Sequence, residues 1–285
     1  MPLDEIGDWS VDKLNILKDY SGRYSQILQN QRSEQTGTRR FSHGYIDAFA
    51  GAGEHVHKAT GEIIQGSPLI ALNLEHKFDE YDFIDLNPER VERLKKIAEQ
   101  RKGVRVHHGD CNDVLLSTVF PKYKFEDFRR ALCFLDPYGL QLQWAVMATA
   151  GRMRSIEIFL NFPVMDMNRN AKKMRIEDVD VDHRHRMTDF WGDESWHSAM
   201  FAPSLQSNFL GLFGDDGVDL EKNDNKAFVA AFQKRLKDVA GFAYVPQPIP
   251  MRNSKNAVVY YLFFASNNET GNRIASAIFK PYRQP

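Results

Sequence analysis

Five short apolar runs alternate with helical stretches along the first part of this chain, and that alternation constrains the fold more than any other feature. The runs are His43-Gly44-Tyr45-Ile46-Asp47, Tyr81-Asp82-Phe83-Ile84-Asp85, Val104-Arg105-Val106-His107, Ala131-Leu132-Cys133-Phe134-Leu135 and Ile156-Glu157-Ile158-Phe159-Leu160. Short apolar runs of this kind suit strands buried on both faces. Between them, Ser67-Pro68 reads as an N-cap with proline at the first helical position, and Asn87-Pro88 repeats the device before Val91, Leu94 and Ile97. Alternating strands and helices imply right-handed crossovers and a parallel sheet. Ligands of such sheets sit beyond the carboxyl ends of the strands, and those ends carry Asp47, Asp85, Asp110 and Asp136.

The flanks read differently. Leu14, Leu17, Tyr20, Tyr24, Ile27 and Leu28 recur at helical spacing. Residues 33–40 are polar and read as a linker. Near the end, Phe228, Phe232 and Leu236 mark a helix. Residues 242–251 and 257–265 then read as strands joined through Arg252-Asn253-Ser254-Lys255. So short a connection requires an antiparallel pair, which puts one reversed strand near the sheet edge. The expected organisation is an N-terminal helix and linker (1–40), a core (41–163), an insertion that could be a lid or recognition element (164–225), and a C-terminal helix and hairpin completing the sheet (226–285).

Composition excludes several classes. Of 285 residues, 42% are apolar and 26% charged, an ordinary globular balance. Two cysteines, Cys111 and Cys133, cannot build a disulfide scaffold or a Cys-rich zinc module. With 37 basic and 38 acidic residues there is no cationic coat for nucleic acid, though a local patch stays open. No run reaches the ~20 apolar residues of a membrane span. Met1-Pro2-Leu3-Asp4-Glu5 lacks the apolar core of a secretory signal, so the expectation is a cytoplasmic protein.

Four motifs could carry chemistry. Asp47-Ala48-Phe49-Ala50-Gly51-Ala52-Gly53 places two glycines where backbone can approach a ligand, or simply turn. A dinucleotide fingerprint would need glycine at position 56, which is Val56, and an immediate helix, whereas residues 54–66 read as a long loop. Asp85 closes the next strand, where a carboxylate can accept both hydroxyls of a ribose or stand solvated. Asp110, in Gly109-Asp110-Cys111-Asn112, could meet an adenine amine or cap the helix that follows. In Leu135-Asp136-Pro137-Tyr138-Gly139, the carboxylate and the proline carbonyl can accept from an exocyclic amine, and Tyr138 offers a flat face for a base. The bland alternative is an Asp-Pro turn. Together, three carboxylates at successive strand ends around a glycine turn favour an adenosine-containing ligand.

The ordered set Asp-x-Phe-x-Gly-x-Gly, Asp-x-Asn-Pro-Glu-Arg, Gly-Asp-x-Asn-Asp-Val and Phe-Leu-Asp-Pro-Tyr-Gly resembles the class I S-adenosylmethionine-dependent methyltransferases. More closely it is similar to the three-Cys-motif partner proteins, the TcmP family. That likeness extends to the N-terminal helix, Gly66-Ser67-Pro68-Leu69-Ile70-Ala71-Leu72, Leu160-Asn161-Phe162 and Tyr261-Leu262-Phe263-Phe264-Ala265-Ser266-Asn267, and is weakest between Val164 and Asn225. It implies a Rossmann-like fold, seven strands with one reversed. It also implies S-adenosylmethionine as cofactor, with Asp47, Phe49, Gly51 and Gly53 at its methionine end, Asp85 on the ribose and Asp110 near the adenine. Ala48, Ser67, Leu86 and Cys111 complete that candidate set. Asp136, Pro137 and Tyr138 would stand beside the transferred methyl, with Asn161, Arg169, Lys172 and Lys173 as candidate substrate contacts. The Asp-Pro-Tyr segment resembles the Asp-Pro-Pro-Tyr signature of nucleobase amino-methyltransferases and the Asp-Pro-Phe-Gly of tRNA guanine-N2 dimethyltransferases. It lacks their second proline in the first case. A nucleic-acid substrate (RNA or DNA) or a three-Cys-motif protein partner is the implied company.

Four further features read more plainly. Arg169, Lys172, Lys173 and Arg175 could contact phosphate or form a solvated helix face. Asp178-Val179-Asp180-Val181-Asp182-His183-Arg184-His185 matches no standard metal spacing and reads as a charged segment, with a strand or loop suiting the two histidines. Cys133 reads as buried packing, and no base stands beside Cys111 to make it a nucleophile. Trp191 and Trp196 read as core or lid packing.

Overall fold

The computed structural model describes residues 3–34, 41–170, 176–203, 220–222 and 224–283. Its strands in chain order are β1 (Asp4–Ile6), β2 (Ser42–Asp47), β3 (Glu54–His57), β4 (Ile63–Gln65), β5 (Glu80–Asp85), β6 (Val104–His108), β7 (Arg129–Leu135), β8 (Ile156–Phe162), β9 (Phe201–Pro203), β10 (Leu220–Lys222), β11 (Ile249–Arg252) and β12 (Val258–Ala265). Seven of them form one sheet in the order β11-β12-β8-β7-β2-β5-β6. β2, β5, β6, β7 and β8 pair in parallel, and β12 runs antiparallel to both its neighbours. The expected mixed α/β, Rossmann-like sheet with one reversed strand near its edge is therefore the one observed.

Strand periodicity divides the core. Ile46, Ile84, Cys133, Leu135, Ile158 and Leu160 face one apolar layer, while Tyr45, Phe83, Leu132, Phe134 and Phe159 face the other. The second layer is covered by the N-terminal helix Asp8–Glu34, whose Leu17, Tyr20, Tyr24 and Leu28 are buried there. Tyr20 anchors it further by donating to Glu157 on β8, which also accepts from Ser266 at 2.9 Å. Burial raises the Glu157 carboxyl to about 7. The first layer takes the helices Trp144–Met153 and Asn225–Asp238 together with Met187, Phe190, Trp191, Trp196 and Met200. Both tryptophans thus serve as core packing, as expected.

Four details differ from the sequence reading. Residues 54–66 are not a plain loop: β3 and β4 form a hairpin, and β1 adds to β3 in parallel, so an edge that local sequence leaves unpaired is closed by the far N-terminus. Ser67 is not the N-cap of helix Ser67–Asn73; Gly66 is, and the serine is the first helical residue beside Pro68. Of residues 242–251, only 249–251 fall in a strand; Tyr244 makes an isolated bridge to Ser266, and Pro246 and Pro248, which lack ladder donors, lie between the two. His183 and His185 lie in the helix Val181–Trp191, capped by Asp180, rather than in a strand or loop. Asn87 does cap the helix Pro88–Ala98, accepting from the amides of Glu89 and Arg90.

Candidate functional site

The loops leaving β2, β5, β6 and β7 open on one edge of the sheet. There Asp85 is buried with both oxygens engaged by backbone: Oδ2 accepts from Gly51 N at 2.9 Å and Oδ1 from Asn87 N at 2.8 Å. These bonds tie the glycine turn to the end of β5. The turn needs its glycines, since Gly51 and Gly53 have φ of 64° and 85°, and a Cβ at Gly53 would stand 2.9 Å from Ile97 Cδ1. Asp110 caps the short helix Cys111–Val114 through Asn112 N at 2.8 Å, as one of its two readings expected, and also lines the adjoining cavity. That cavity, about 310 Å³, is walled by Ala48, Phe49, Asp85, Leu86, Asp110, Cys111 and Tyr138 among others.

A second cavity, about 520 Å³, shares Phe49 and Tyr138 with the first. It holds Gly51, Ser67, Asp136, Pro137, Asn161 and Arg169. Asp136 accepts from Asn161 Nδ2 at 2.8 Å and pairs with Lys13 Nζ at 2.5 Å. Tyr138 is 56% exposed, and its hydroxyl accepts from Arg90 Nη1 at 3.1 Å. Arg90 also pairs with Asp4 at 2.7 Å and lies 3.9 Å from Asp85. One guanidinium thus links the carboxylate of the first cavity to the ring of the second.

Asp47 and Gly53 line neither cavity. Asp47 is fully buried behind the turn and accepts from Tyr45 Oη at 3.3 Å, Phe49 N at 3.4 Å and the Ser67 hydroxyl. Burial, and secondarily the charge of Asp136, raises its carboxyl to about 7 against the pull of the Ser67 bond. Arg169 sits at the rim, 67% exposed, 3.4 Å from Asp166. Lys172, Lys173 and Arg175 lie outside the described residues. Burial pushes the Cys111 thiol up to about 12, which suits a wall residue and not a nucleophile. Cys133 is fully buried in the core.

Sequence reasoning missed Lys13, His55 and Arg90. Lys13 had a signal: it stands in register with Leu17, Tyr20 and Tyr24 on the buried stripe of its helix, where a lysine is out of place. His55, on β3, lines the second cavity with its Nδ1 buried and without a hydrogen-bond partner among the described residues. Burial, and then the nearby Lys13 charge, lowers its pKa. No local pattern marked it. Among the described residues no group of three or more metal-ligating side chains gathers. No described helix is long and apolar enough to cross a membrane.

Comparison with known proteins shows the fold. A Legionella pneumophila protein of the DUF519 family superposes with a TM-score of 0.53 at 13% identity, covering 95% of this chain and 93% of its own. Looser likenesses include a Listeria monocytogenes protein described as a candidate S-adenosylmethionine-dependent methyltransferase (TM-score 0.41, 12% identity, 88% and 98% covered). A human methyltransferase 10 domain containing protein is similar at TM-score 0.40 and 10% identity, with 87% and 83% covered. No protein-family model and no curated protein matches the sequence.

Proposed function

We propose that this chain is an S-adenosylmethionine-dependent methyltransferase acting on an amino group. The observation that carries the reading is the pairing of two cavities at one sheet edge. One is lined by the strand-end carboxylates Asp85 and Asp110, the other by Asp136-Pro137-Tyr138, and Phe49 and Tyr138 are common to both. The residues present fit such a cofactor. Asp85 and Asp110 supply acceptors for ribose hydroxyls and an adenine amine, Leu86 and Cys111 supply apolar wall, and the volumes fall in the ~300–1,000 Å³ range of small-molecule sites. When bound, the cofactor would supply an activated methyl group.

The remaining work falls to this chain's residues. Asp136 and the Pro137 carbonyl would orient the amine lone pair and relieve its developing positive charge. The exposed Tyr138 ring, with the Arg90 guanidinium 5.5 Å from its centroid, would hold the acceptor. His55, which lines the same cavity with a buried Nδ1 that has no partner among the described residues, would take the proton the amine gives up. We place the acceptor amine on a nucleobase, on the strength of the Asp-Pro-Tyr motif, and a base in duplex nucleic acid would have to be flipped out.

Calorimetric titration with S-adenosylmethionine and S-adenosylhomocysteine, with NAD as control, tests the cofactor. We expect the first two to bind and NAD not to. No binding of either sulfur compound would overturn the reading.

The Lys13–Asp136 pair supports a second reading, a non-catalytic module acting through a three-Cys-motif protein partner, because the acceptor-side carboxylate is already engaged. Co-purification of such a partner, with no transfer to any RNA or DNA tested, would favour it.

A further inference from the structure

A lysine ammonium shut away from water needs a reason, because lysine is almost never fully buried without a partner. Lys13 is 7% exposed along its side chain and pairs with Asp136 Oδ2 at 2.5 Å. The ring centroids of Tyr260, Phe134 and Trp9 stand 5.6, 5.8 and 6.0 Å from its Nζ. A carboxylate with three aromatic rings within about 6 Å is the arrangement by which proteins recognise organic cations.

The box also has capacity to spare. Asn161 donates to Asp136 Oδ1 at 2.8 Å, and its own Oδ1 is buried without a hydrogen-bond partner among the described residues, in a residue 4% exposed. A buried acceptor left alone is costly, and a primary amino group brings two or three N–H donors. Lys13, Asp136, Asn161, Trp9 and Tyr260 all line the cavity that holds Pro137 and Tyr138.

We propose that Asp136, Asn161, Trp9, Phe134 and Tyr260 form a seat for a primary amino group. Lys13 fills it from within as a stand-in for the acceptor, and an acceptor amine enters by displacing Lys13. The proposal rests on reading Asp136 as the acceptor end of the site. The helix that carries Lys13 is held further along by Tyr20 on buried Glu157, so the lysine side chain is the part that leaves.

The test uses the full chain with Lys13→Ala and n-propylammonium chloride, which restores the atoms from Cγ to Nζ. By calorimetry, propylammonium binds Lys13→Ala saturably and does not bind the wild type, whose seat is filled. Uncharged n-propanol binds neither. Adding Asp136→Asn weakens propylammonium binding by roughly tenfold or more. A folded Lys13→Ala protein that takes up no propylammonium overturns the proposal.

With S-adenosylmethionine present, Lys13→Ala methylates propylamine and the wild type does not. Bound propylammonium first gives up a proton, by way of His55 to buffer, which frees its lone pair; the amine nitrogen then bonds the methyl carbon and the methyl–sulfur bond breaks with its electron pair left on sulfur, leaving N-methylpropylammonium. Binding of both compounds without transfer overturns the acceptor role.

If Lys13→Ala does not fold, Asp136→Asn alone is labelled with acetic anhydride and read by mass spectrometry. Lys13 should become roughly tenfold more reactive than in the wild type. Unchanged protection overturns the seat. The propylammonium and labelling arms need no cofactor, so their failure is distinct from a failure to bind S-adenosylmethionine.

Discussion

The two cavities share one sheet edge and are built in opposite ways. The first takes Asp85 from the last position of β5, and Ala48, Leu86, Gly109 and Asp110 from turns that directly follow adjacent strands. The second gathers Lys13 from the N-terminal helix, His55 from the added hairpin, Asp136 from after β7, Asn161 from β8 and Tyr260 from β12. The first is therefore held by backbone bonds between neighbouring strand ends, such as Gly51 N and Asn87 N on Asp85. The second is held by an ion pair between residues far apart in the chain. A site of the first kind is specified by motifs, and one of the second kind exists only once the chain has folded around it.

Substitutions sharpen or break that contrast. Asp136→Ala should cut methyl transfer by about a hundredfold to a thousandfold, while the affinity for S-adenosylhomocysteine measured by calorimetry stays within a few-fold. It also leaves the Lys13 ammonium in its box without a carboxylate, so urea denaturation should show a loss of about 3–5 kcal/mol. A matching loss of cofactor affinity would mean the cavities are one unit.

Asp47 sits behind both. Its folded pKa of about 7 lies above the ordinary aspartate value of 3.8, so it favours folding most at low pH, and that contribution is lost as pH rises through about 7. Unfolding free energies from urea titrations between pH 4 and 8 should therefore fall in the wild type, by on the order of 4 kcal/mol for this group. Asp47→Asn should remove about half of the slope, because Glu157, raised to the same level by burial, contributes with the same sign. Asp79 and Asp82 act oppositely but below this window: both are held well under the usual carboxylate range despite burial, Asp79 by His43 and Arg32, Asp82 by Arg105 and His107. An unchanged slope in Asp47→Asn would show that its carboxyl is not shielded from water.

Asp85→Ala should strike the first cavity alone. S-adenosylhomocysteine affinity should drop roughly thirtyfold, about one charge-assisted hydrogen bond, with Lys13 labelling by acetic anhydride unchanged. The smallest effect is expected at the thiols: iodoacetamide at pH 8 should leave Cys111 and Cys133 unmodified in the folded protein, since burial raises both. Mass spectrometry reads this directly, and rapid alkylation of Cys111 would mean the first cavity is open and polar at its wall.

Legibility followed the same divide. The strand-end carboxylates, the glycine turn, the Asn87 cap and the reversed strand could all be read from the chain, because each depends on period, turn chemistry or connection length within a few residues. The hairpin of β3 and β4 could not, since its partner β1 lies at the other end of the N-terminal helix. Nor could the fates of Asp47 and Ser67, which depend on what packs over them. Lys13 shows the boundary: its misfit on an apolar stripe was visible, but Asp136 as the reason for it was not.

By itself, then, the sequence determined an alternating α/β sheet with one reversed strand and a carboxylate-lined edge, because alternating burial and short connections leave few other ways to close such a core. Only the tertiary structure decided that Lys13 meets Asp136, that His55 lines the same cavity and that Arg90 joins the two cavities. The Lys13–Asp136 contact joins segments whose separation along the chain carries no pattern, and it forms only when hydrophobic packing of the N-terminal helix against β7, β8 and β12 brings the two within bonding distance.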